Sequence, residues 1–118
     1  MTDWNIKELT GYEPKTTFYT DFSIADPFGE DAVQDTYNRA FAEWKTDIEY
    51  LTELVMVLNW KSWEHDEKAN ICDSTCDPRA EHHSKLSRLY VKLYQEADKW
   101  CLDNLKGDDL SYYIRTTD

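Results

Sequence analysis

Glycine and proline are scarce in this chain, with three of each among 118 residues. An all-β fold needs many tight turns, so this scarcity argues against one. With glycines only at positions 11, 29 and 107, the chain has no glycine-rich loop that could hold a phosphate or a dinucleotide. It also lacks a Gly-x-Ser-x-Gly sequence around a nucleophilic serine. The usual sequence signs of nucleotide binding and of serine hydrolysis are therefore missing.

Long apolar runs are also missing. The longest, Leu54–Leu58, has five residues, whereas a membrane-spanning helix needs about 20. Residues 1–5 lack the positive charge and apolar stretch of a secretion signal. Three cysteines cannot all pair within one chain, and no Asn-x-Ser/Thr acceptor occurs. We therefore expect a cytoplasmic protein that does not bind membranes.

Positive charge is in short supply, because 13 Lys and Arg face 24 Asp and Glu, for a formal net charge of −11. Such a chain repels nucleic acid, so direct nucleic-acid binding is not expected. The excess of carboxylates keeps a small protein soluble, which is the simpler interpretation. The alternative is an acidic mimic of nucleic acid that inhibits a nucleic-acid-binding protein. The carboxylates that could form its face are Asp31, Asp35, Glu43, Asp47, Glu49 and Glu53.

Helical periodicity dominates the rest of the sequence. Apolar residues recur at steps of three and four through a first segment, which predicts a long helix from about residue 30 to about residue 67. The period returns from 82 to 106 and predicts a second helix, which Gly107 would end. Residues 66–81 are polar and predict a loop. Two helices joined by such a loop form an antiparallel hairpin.

One break in the long helix is conceivable. The sequence Thr46-Asp-Ile-Glu49 matches a capping box, in which Thr46 would begin a new helix. The apolar stripe nevertheless keeps its phase from Val33 to Leu58, and this continuity favours one unbroken helix.

The two ends of the chain are too apolar to be disordered. Residues 1–28 predict an arm packed on the helices, with a helical turn near Asp21–Ala25. Residues 108–118 predict a short C-terminal segment that also packs back. The chain is thus expected to be one all-α domain over residues 1–118.

The centre of the first helix is apolar on every side, because Leu54–Leu58 is uninterrupted. A helix of this kind must be covered on every side. Two helices cannot do so, and a third layer must come from the arm, from a second copy of the chain, or from both. We therefore expect a homodimer or a protein partner. The predicted interaction residues are Leu54, Val55, Met56, Val57, Leu58, Trp60 and Trp63. For Trp60 and Trp63 the simpler interpretation is core, where they close the hairpin opposite Tyr90 and Tyr94, and a recognition patch is the alternative.

A weak metal-like pattern lies in the predicted loop. Cys72, Cys76 and His82 offer three ligands suited to zinc, and Asp73, Asp77 or His65 could complete a set of four. The adjacent His82 and His83 point in different directions on a helix, however, so only one could join the two sulfurs. The simpler interpretation is a solvated loop, and no bound metal is predicted.

Catalytic patterns are likewise missing. No glutamate stands three residues before a histidine, which excludes the Glu-x-x-His pattern of di-iron helical bundles. The segment Glu64-His-Asp-Glu67 has no second histidine four residues on, and we interpret it as the solvated end of a helix. Cys101 is interpreted as a small buried packing residue. No catalytic residue, no cofactor and no enzymatic activity are predicted.

Four segments resemble a group of small uncharacterised acidic helical proteins of gut Gram-positive bacteria, often encoded on mobile genetic elements. They are DFSIADPFG at 21–29, DTYNRAFAEWK at 35–45, YLTELVMVLNWK at 50–61, and the closing LKGDDLSYY at 105–113. The resemblance covers about residues 17–118. It implies a cytoplasmic helical protein and carries no activity, cofactor or catalytic residue with it.

These observations favour a non-enzymatic cytoplasmic protein that interacts with other proteins. The nucleic-acid mimic and a small metal-binding module remain the alternatives.

Overall fold

The computed structural model describes residues 14–117, and helices account for most of them. A 3₁₀ turn at Asp26–Phe28 joins the first helix to the second. Within the described range there is no strand, which confirms the predicted all-α class. The five α-helices of residues 14–117 are α1 (Phe18–Ala25), α2 (Glu30–Trp44), α3 (Ile48–Ser74), α4 (Arg79–Asn104) and α5 (Gly107–Thr117).

The centre of the fold is the antiparallel hairpin of α3 and α4, as predicted. The Ser87 hydroxyl donates to the backbone oxygen of Ser62 at 2.9 Å, and the His65 and His83 rings meet across the same interface with their centres 5.2 Å apart. The other three helices all pack against α3 as well. One chain thus supplies several layers around its longest helix.

The predicted continuous helix over residues 30–67 is instead two helices, which corrects the preference for continuity. The second of them begins after Asp47, whose carboxylate accepts from the backbone N–H groups of Glu49 at 3.1 Å and Tyr50 at 3.2 Å. Asp47, not Thr46, is therefore the capping residue. Because a side-chain cap satisfies backbone donors that a helix start leaves free, the break costs little. The break allows α2 to pack against α3.

The predicted loop over residues 66–81 is largely helical. α3 continues to Ser74, and only residues 75–78 connect it to α4. The turn is a Schellman motif: the N–H of Asp77 donates to Cys72 O at 2.7 Å and the N–H of Cys76 to Asp73 O at 3.2 Å. Cys76 holds the left-handed position at φ 59°, where glycine is usual.

The N-terminal segment packs on the hairpin from residue 14 onward, and residues 1–13 of the predicted arm lie outside the described residues. α1 contains the predicted helical turn and buries Phe18 and Phe22. The carboxylate of the buried Glu53 accepts from the backbone N–H groups of Lys15 at 2.7 Å and Thr16 at 2.9 Å. At the other end, α5 buries Tyr113, whose hydroxyl donates to Asp98.

The apolar centre of α3 is covered within the chain itself. Leu54, Val55, Val57 and Leu58 are fully buried, and Met56 is partly buried. The third layer that the sequence requires is therefore provided by α1, α2 and α5. Among the described helices, none has the length and apolar character needed to cross a membrane.

Candidate functional site

A group of charged side chains is buried where the 3₁₀ turn meets the hairpin. We call it the buried charge cluster, and its members are Asp26, Lys61, Glu64 and His65. Asp26 comes from the 3₁₀ turn, and the other three occupy successive turns of α3 on the face that receives α1 and α4. Charged groups are rarely buried unless they are paired, so their arrangement needs a close description.

Lys61 lies at the centre of the cluster with 0% of its surface exposed. Its Nζ is 2.6 Å from Asp26 Oδ2 and 2.8 Å from Glu64 Oε2, and it donates to Ser23 Oγ at 3.1 Å. Nζ is also 4.8 Å from the centre of the Tyr19 ring. The ammonium therefore has three hydrogen-bond acceptors and an aromatic face, which together replace its hydration shell.

Both carboxylates stay ionised in spite of burial. Burial raises the pKa of Asp26, but the hydrogen bond from His65 and the charge of Lys61 outweigh it, and the pKa lies below its ordinary value. For Glu64, burial again raises the pKa, while the charge and hydrogen bond of Lys61 and the hydrogen bond from Tyr19 bring it below the ordinary value. The cluster thus holds real charges at neutral pH.

Two tyrosines complete the hydrogen bonding of the carboxylates. The Tyr90 hydroxyl donates to Asp26 Oδ1 and the Tyr19 hydroxyl donates to Glu64 Oε1. Burial and these acidic neighbours raise the pKa of both phenols, so both remain donors at any ordinary pH. In the described part of the chain, no buried side-chain nitrogen or oxygen lacks a hydrogen-bond partner.

A chain of hydrogen bonds leads from the cluster toward solvent. His65 Nε2 is 2.7 Å from Asp26 Oδ2, and His65 Nδ1 is 3.0 Å from His83 Nδ1. Burial, followed by the proximity of His65, lowers the pKa of His83 to about 4, so its ring is neutral at neutral pH. His83 is half-buried, and it forms the outer end of this series of hydrogen bonds.

This outer end opens into a cleft of about 720 Å³ between the 3₁₀ turn, the end of α3 and the start of α4. Its cations are paired, because Lys68 Nζ contacts Glu64 at 3.2 Å and Arg79 Nη2 contacts Asp77 at 2.6 Å. The Arg79 hydrogen bonds lower the pKa of Asp77 to about 2. Also lining the cleft are Tyr19, Ser23, Ile71, Cys72, Thr75 and His82.

One group of potential metal ligands occurs among residues 14–117, and it is not the group suggested by the sequence. Asp26, Glu64 and His65 bring one donor atom each to within 4.8 Å of one another. Lys61 Nζ already contacts both carboxylates of this group. An ion between these donors would have to displace a buried ammonium, so the group is satisfied without metal.

The structure does not gather the metal candidates from the sequence into a site. Cys72 lies in α3, Cys76 is exposed in the turn and His82 lies in the first turn of α4. Cys101 is buried, as expected for a packing residue, and burial raises the pKa of its thiol to about 12. His65, Cys72, Asp77 and His82 line the cleft and Cys76 does not, and among the described residues the donor atoms of these candidates do not converge on one point.

The predicted interaction residues also lie elsewhere than expected. The apolar centre of α3 is core, so it offers no surface to a partner in the folded chain. Trp60 is partly buried against that core, and Trp63 is 59% exposed, so Trp63 does not help to close the hairpin. Glu53 of the proposed acidic face is buried beneath residues 15 and 16, and Glu49 pairs with Lys15 at 3.3 Å. These contacts interrupt the contiguous acidic face that a mimic would need.

The buried charge cluster was missed because Glu64 and His65 were interpreted as a solvated helix end. A usable signal was present. The core positions Leu54 and Leu58 continue at helical spacing to Lys61 and His65, so a lysine and a histidine stand where the stripe requires buried residues.

A second feature lies on the opposite side of α1. An apolar groove of about 590 Å³ runs between α1 and α2, and we call it the α1–α2 groove. Ile24 and Phe28 at its edge are 63% and 80% exposed. The alanine side chains along the groove are small and leave it open. Three acidic side chains and one basic side chain also line the groove. Its lining comprises Phe18, Asp21, Ile24, Ala25, Phe28, Ala32, Asp35, Thr36, Arg39, Ala40, Glu43 and Trp44.

Comparison with protein-family models, with curated proteins and with solved structures found no match to this chain.

Proposed function

We propose that this is a non-enzymatic interaction protein that binds a basic amphipathic helix of a partner protein in the α1–α2 groove. The observation that carries the proposal is the exposure of Ile24 and Phe28 side by side at the edge of an open apolar groove. Exposed apolar patches next to a groove mark binding surfaces, and helices dock into such grooves through residues spaced three and four apart.

The charge of the groove supports a basic partner. Asp21, Asp35 and Glu43 line it against a single Arg39, and the whole chain carries −11. A basic segment would be attracted over a distance and oriented on arrival, which raises the rate and the specificity of association. A second copy of the chain would bring the same excess of negative charge and would be repelled. A heterologous partner is therefore the better occupant.

The proposal replaces the apolar centre of α3 as the binding surface, because that centre is buried by the chain's own helices. The cytoplasm is part of the proposal and rests on the three cysteines, which cannot all pair within the chain. The resemblance to proteins of gut bacteria and mobile elements stays a prediction. It agrees with an accessory role in which a small protein acts on a partner.

The test uses two fluorescein-labelled synthetic peptides with the same amphipathic helical pattern. One carries leucine on its apolar face and lysine on its polar face, and the other carries glutamate in place of lysine. Fluorescence polarisation at about 0.15 M salt, where long-range charge effects are screened beyond about 8 Å, measures binding of each to the full chain. We expect the lysine peptide to bind and the glutamate peptide not to bind.

Two variants separate the groove from general charge attraction. Ile24→Glu adds a negative charge in the groove, and Ile71→Glu adds the same charge at an isoleucine of similar exposure, 58%, on α3. General attraction would make both variants bind the lysine peptide more tightly. The proposal expects Ile24→Glu to bind at least about tenfold more weakly, a loss of about 1.4 kcal/mol, with Ile71→Glu unchanged.

Equal binding by the two variants, or equal binding of the two peptides, would contradict the proposal. Sedimentation velocity of the purified chain adds a further check. A dimer that Ile24→Glu converts to a monomer would assign the groove to a second copy and overturn the choice of a basic partner.

A further inference from the structure

Two imidazole rings meet edge to edge at the inner wall of the cleft. His65 comes from α3 and His83 from α4, and their Nδ1 atoms are 3.0 Å apart. Their rings are nearly parallel, at 23°, with centres 5.2 Å apart. Because both nitrogens point at the same small volume, the two side chains form a pair of converging donors supplied by separate helices.

The inner ring is held in one orientation by Asp26. Asp26 faces the donors Tyr90 and Lys61 as an acceptor, and its Oδ2 lies 2.7 Å from His65 Nε2, so Nε2 is the donor of this hydrogen bond. The other ring nitrogen of His65, Nδ1, faces His83. A carboxylate that accepts from the far N–H of a histidine is the common support of a metal-binding imidazole. Tyr90 and Lys61 hold that carboxylate in turn.

The spacing of the two nitrogens also fits a metal. Zinc–nitrogen bonds are about 2.0–2.1 Å long, so two of them at a tetrahedral angle hold their nitrogens about 3.3 Å apart. The observed 3.0 Å is a few tenths of an ångström shorter, so a small opening and a tilt of the two rings toward the ion bring the nitrogens to ligand spacing. We propose that His65 and His83 bind a divalent first-row transition metal ion through their Nδ1 atoms at the inner wall of the cleft.

When both rings are neutral and His65 carries its proton on Nε2, His83 Nδ1 donates the hydrogen that lies between the two Nδ1 atoms. The ion takes the place of this hydrogen, and His83 changes to the tautomer that carries its proton on Nε2. The proton moves between the two nitrogens of His83 through solvent. Both ligands bind as neutral rings, so the exchange is balanced and releases no net proton.

The surroundings suit an ion with open positions. Imidazole ligands favour zinc, copper and nickel over magnesium or calcium. The nearby cations Lys68 and Arg79 are each paired with a carboxylate, so they do not oppose the ion as isolated charges. The cleft of about 720 Å³ leaves room for water or a small ligand at the remaining positions. This site shares only His65 with the Asp26–Glu64–His65 group, whose centre Lys61 fills, and it uses the opposite side of the ring.

Titration of the metal-free chain with Zn²⁺, Cu²⁺ or Co²⁺, followed by calorimetry or by the visible absorption of Co²⁺, tests the proposal. The full chain is expected to bind one ion. Loss of an outer group that merely orients a ligand typically weakens metal binding by about 10–100-fold, so loss of a ligand itself in His83→Ala is expected to weaken binding by at least tenfold. His83 is half-buried, and circular dichroism is expected to show the variant folded.

The neighbouring His82 provides a matched control. It lies one residue earlier on α4, lines the same cleft and has similar exposure, so His82→Ala removes an imidazole without removing a proposed ligand. A Cys72→Ser, Cys76→Ser double variant removes the two sulfurs. Both controls are expected to bind as the unchanged chain does. If they lose the ion and His83→Ala keeps it, the ligands are in the turn and the proposal is wrong. An absence of binding by the unchanged chain also overturns it.

Nitrogen-detected NMR of the histidine rings identifies the ligands directly. On addition of Zn²⁺, the Nδ1 signals of His65 and His83 are expected to shift together, and the His82 signals are expected to stay in place. A shift of His82 alone contradicts the assignment. Because this readout follows ring nitrogens, a change in fold stability cannot imitate it.

Discussion

At the scale of single residues, Lys61 is the central cation of the buried charge cluster. Its buried ammonium is the positive partner of the Asp26 and Glu64 carboxylates, and it donates a hydrogen bond to the Ser23 hydroxyl. Removing one member of a buried ion pair costs about 3–5 kcal/mol, because the remaining charge is left without compensation. This cost measures the breaking of the set and not its net contribution, since apolar residues of similar volume in place of a whole buried ionic set are often as stable.

Replacing Lys61 by methionine tests this dependence. We expect Lys61→Met to lower the free energy of unfolding by about 3–5 kcal/mol, because Asp26 and Glu64 then lose their central cation. Urea denaturation followed by circular dichroism measures the change.

Lys68 offers a matched control for that substitution. It pairs with the same Glu64 carboxylate at 3.2 Å, but its side chain is partly exposed. Lys68→Met is expected to cost no more than about 1 kcal/mol, as solvated ion pairs do. Equal losses in the two variants would show that burial does not set the energy.

The residue scale is also where the sequence was least informative. The apolar stripe of α3 was predicted from its period, and its burial is confirmed. Lys61 and His65 continue that stripe at the correct spacing, yet a charged side chain is usually assigned to solvent. Only the partners that α1, the 3₁₀ turn and α4 bring in space make their burial possible, and no local pattern contains those partners.

At the scale of helices, the connection between α3 and α4 carries an unusual residue. Cys76 adopts φ 59° in the Schellman turn, and its side chain is exposed. A residue with a Cβ atom pays about 1–2 kcal/mol in the left-handed region relative to glycine.

Substituting Cys76 by glycine removes this cost. We expect Cys76→Gly to raise the free energy of unfolding by about 1 kcal/mol and the midpoint of thermal unfolding by about 4 °C. Differential scanning calorimetry under reducing conditions measures both. Cys76→Ala keeps a Cβ atom and is expected to leave stability nearly unchanged, and a gain as large as that of glycine would contradict the explanation.

Helix existence was predictable here, and helix boundaries were not. The hairpin follows from the apolar period of two segments, and the structure confirms it. The polar stretch after residue 66 was interpreted as a loop because it has few apolar residues. It is helical because Ala69 packs inward while Asp66, Glu67 and Asn70 face solvent. The break at Asp47 was not predicted because the apolar residues on both sides of it keep the spacing of a single helix, so the sequence period shows no interruption there.

At the scale of the whole molecule, stability depends on groups that must remain neutral in the core. Burial raises the pKa of the Cys101 thiol from 9.0 to about 12 and that of Tyr37 from 10.0 to about 12. Unfolding exposes both groups and restores their ordinary pKa values. The unfolded chain therefore loses its protons at a lower pH than the folded chain does, and rising pH favours unfolding.

The expected result is a loss of stability on the alkaline side. For Cys101 the contribution is complete below pH 9.0 and declines as the pH rises toward about 12. Cys101→Ala is expected to be less stable at neutral pH, because it leaves a small cavity, but to show a shallower decline over that window. Urea denaturation at a series of pH values gives both quantities. A slope identical to that of the unchanged chain would contradict the assignment.

Because Lys61 is buried, the rate at which its amine reacts with an external reagent reports how often the surrounding structure opens. An acylating reagent reaches Lys99 freely, since its side chain is 81% exposed, but it can reach Lys61 only when α1 and the 3₁₀ turn lift away from α3. Peptide mapping by mass spectrometry after timed exposure is expected to show Lys61 acylated far more slowly than Lys99, at the frequency of that local opening. Similar rates at the two lysines would mean that α1 and the 3₁₀ turn separate from α3 continually. A ligand or substitution that changes how often α1 and the 3₁₀ turn separate from α3 would then change the acylation rate of Lys61.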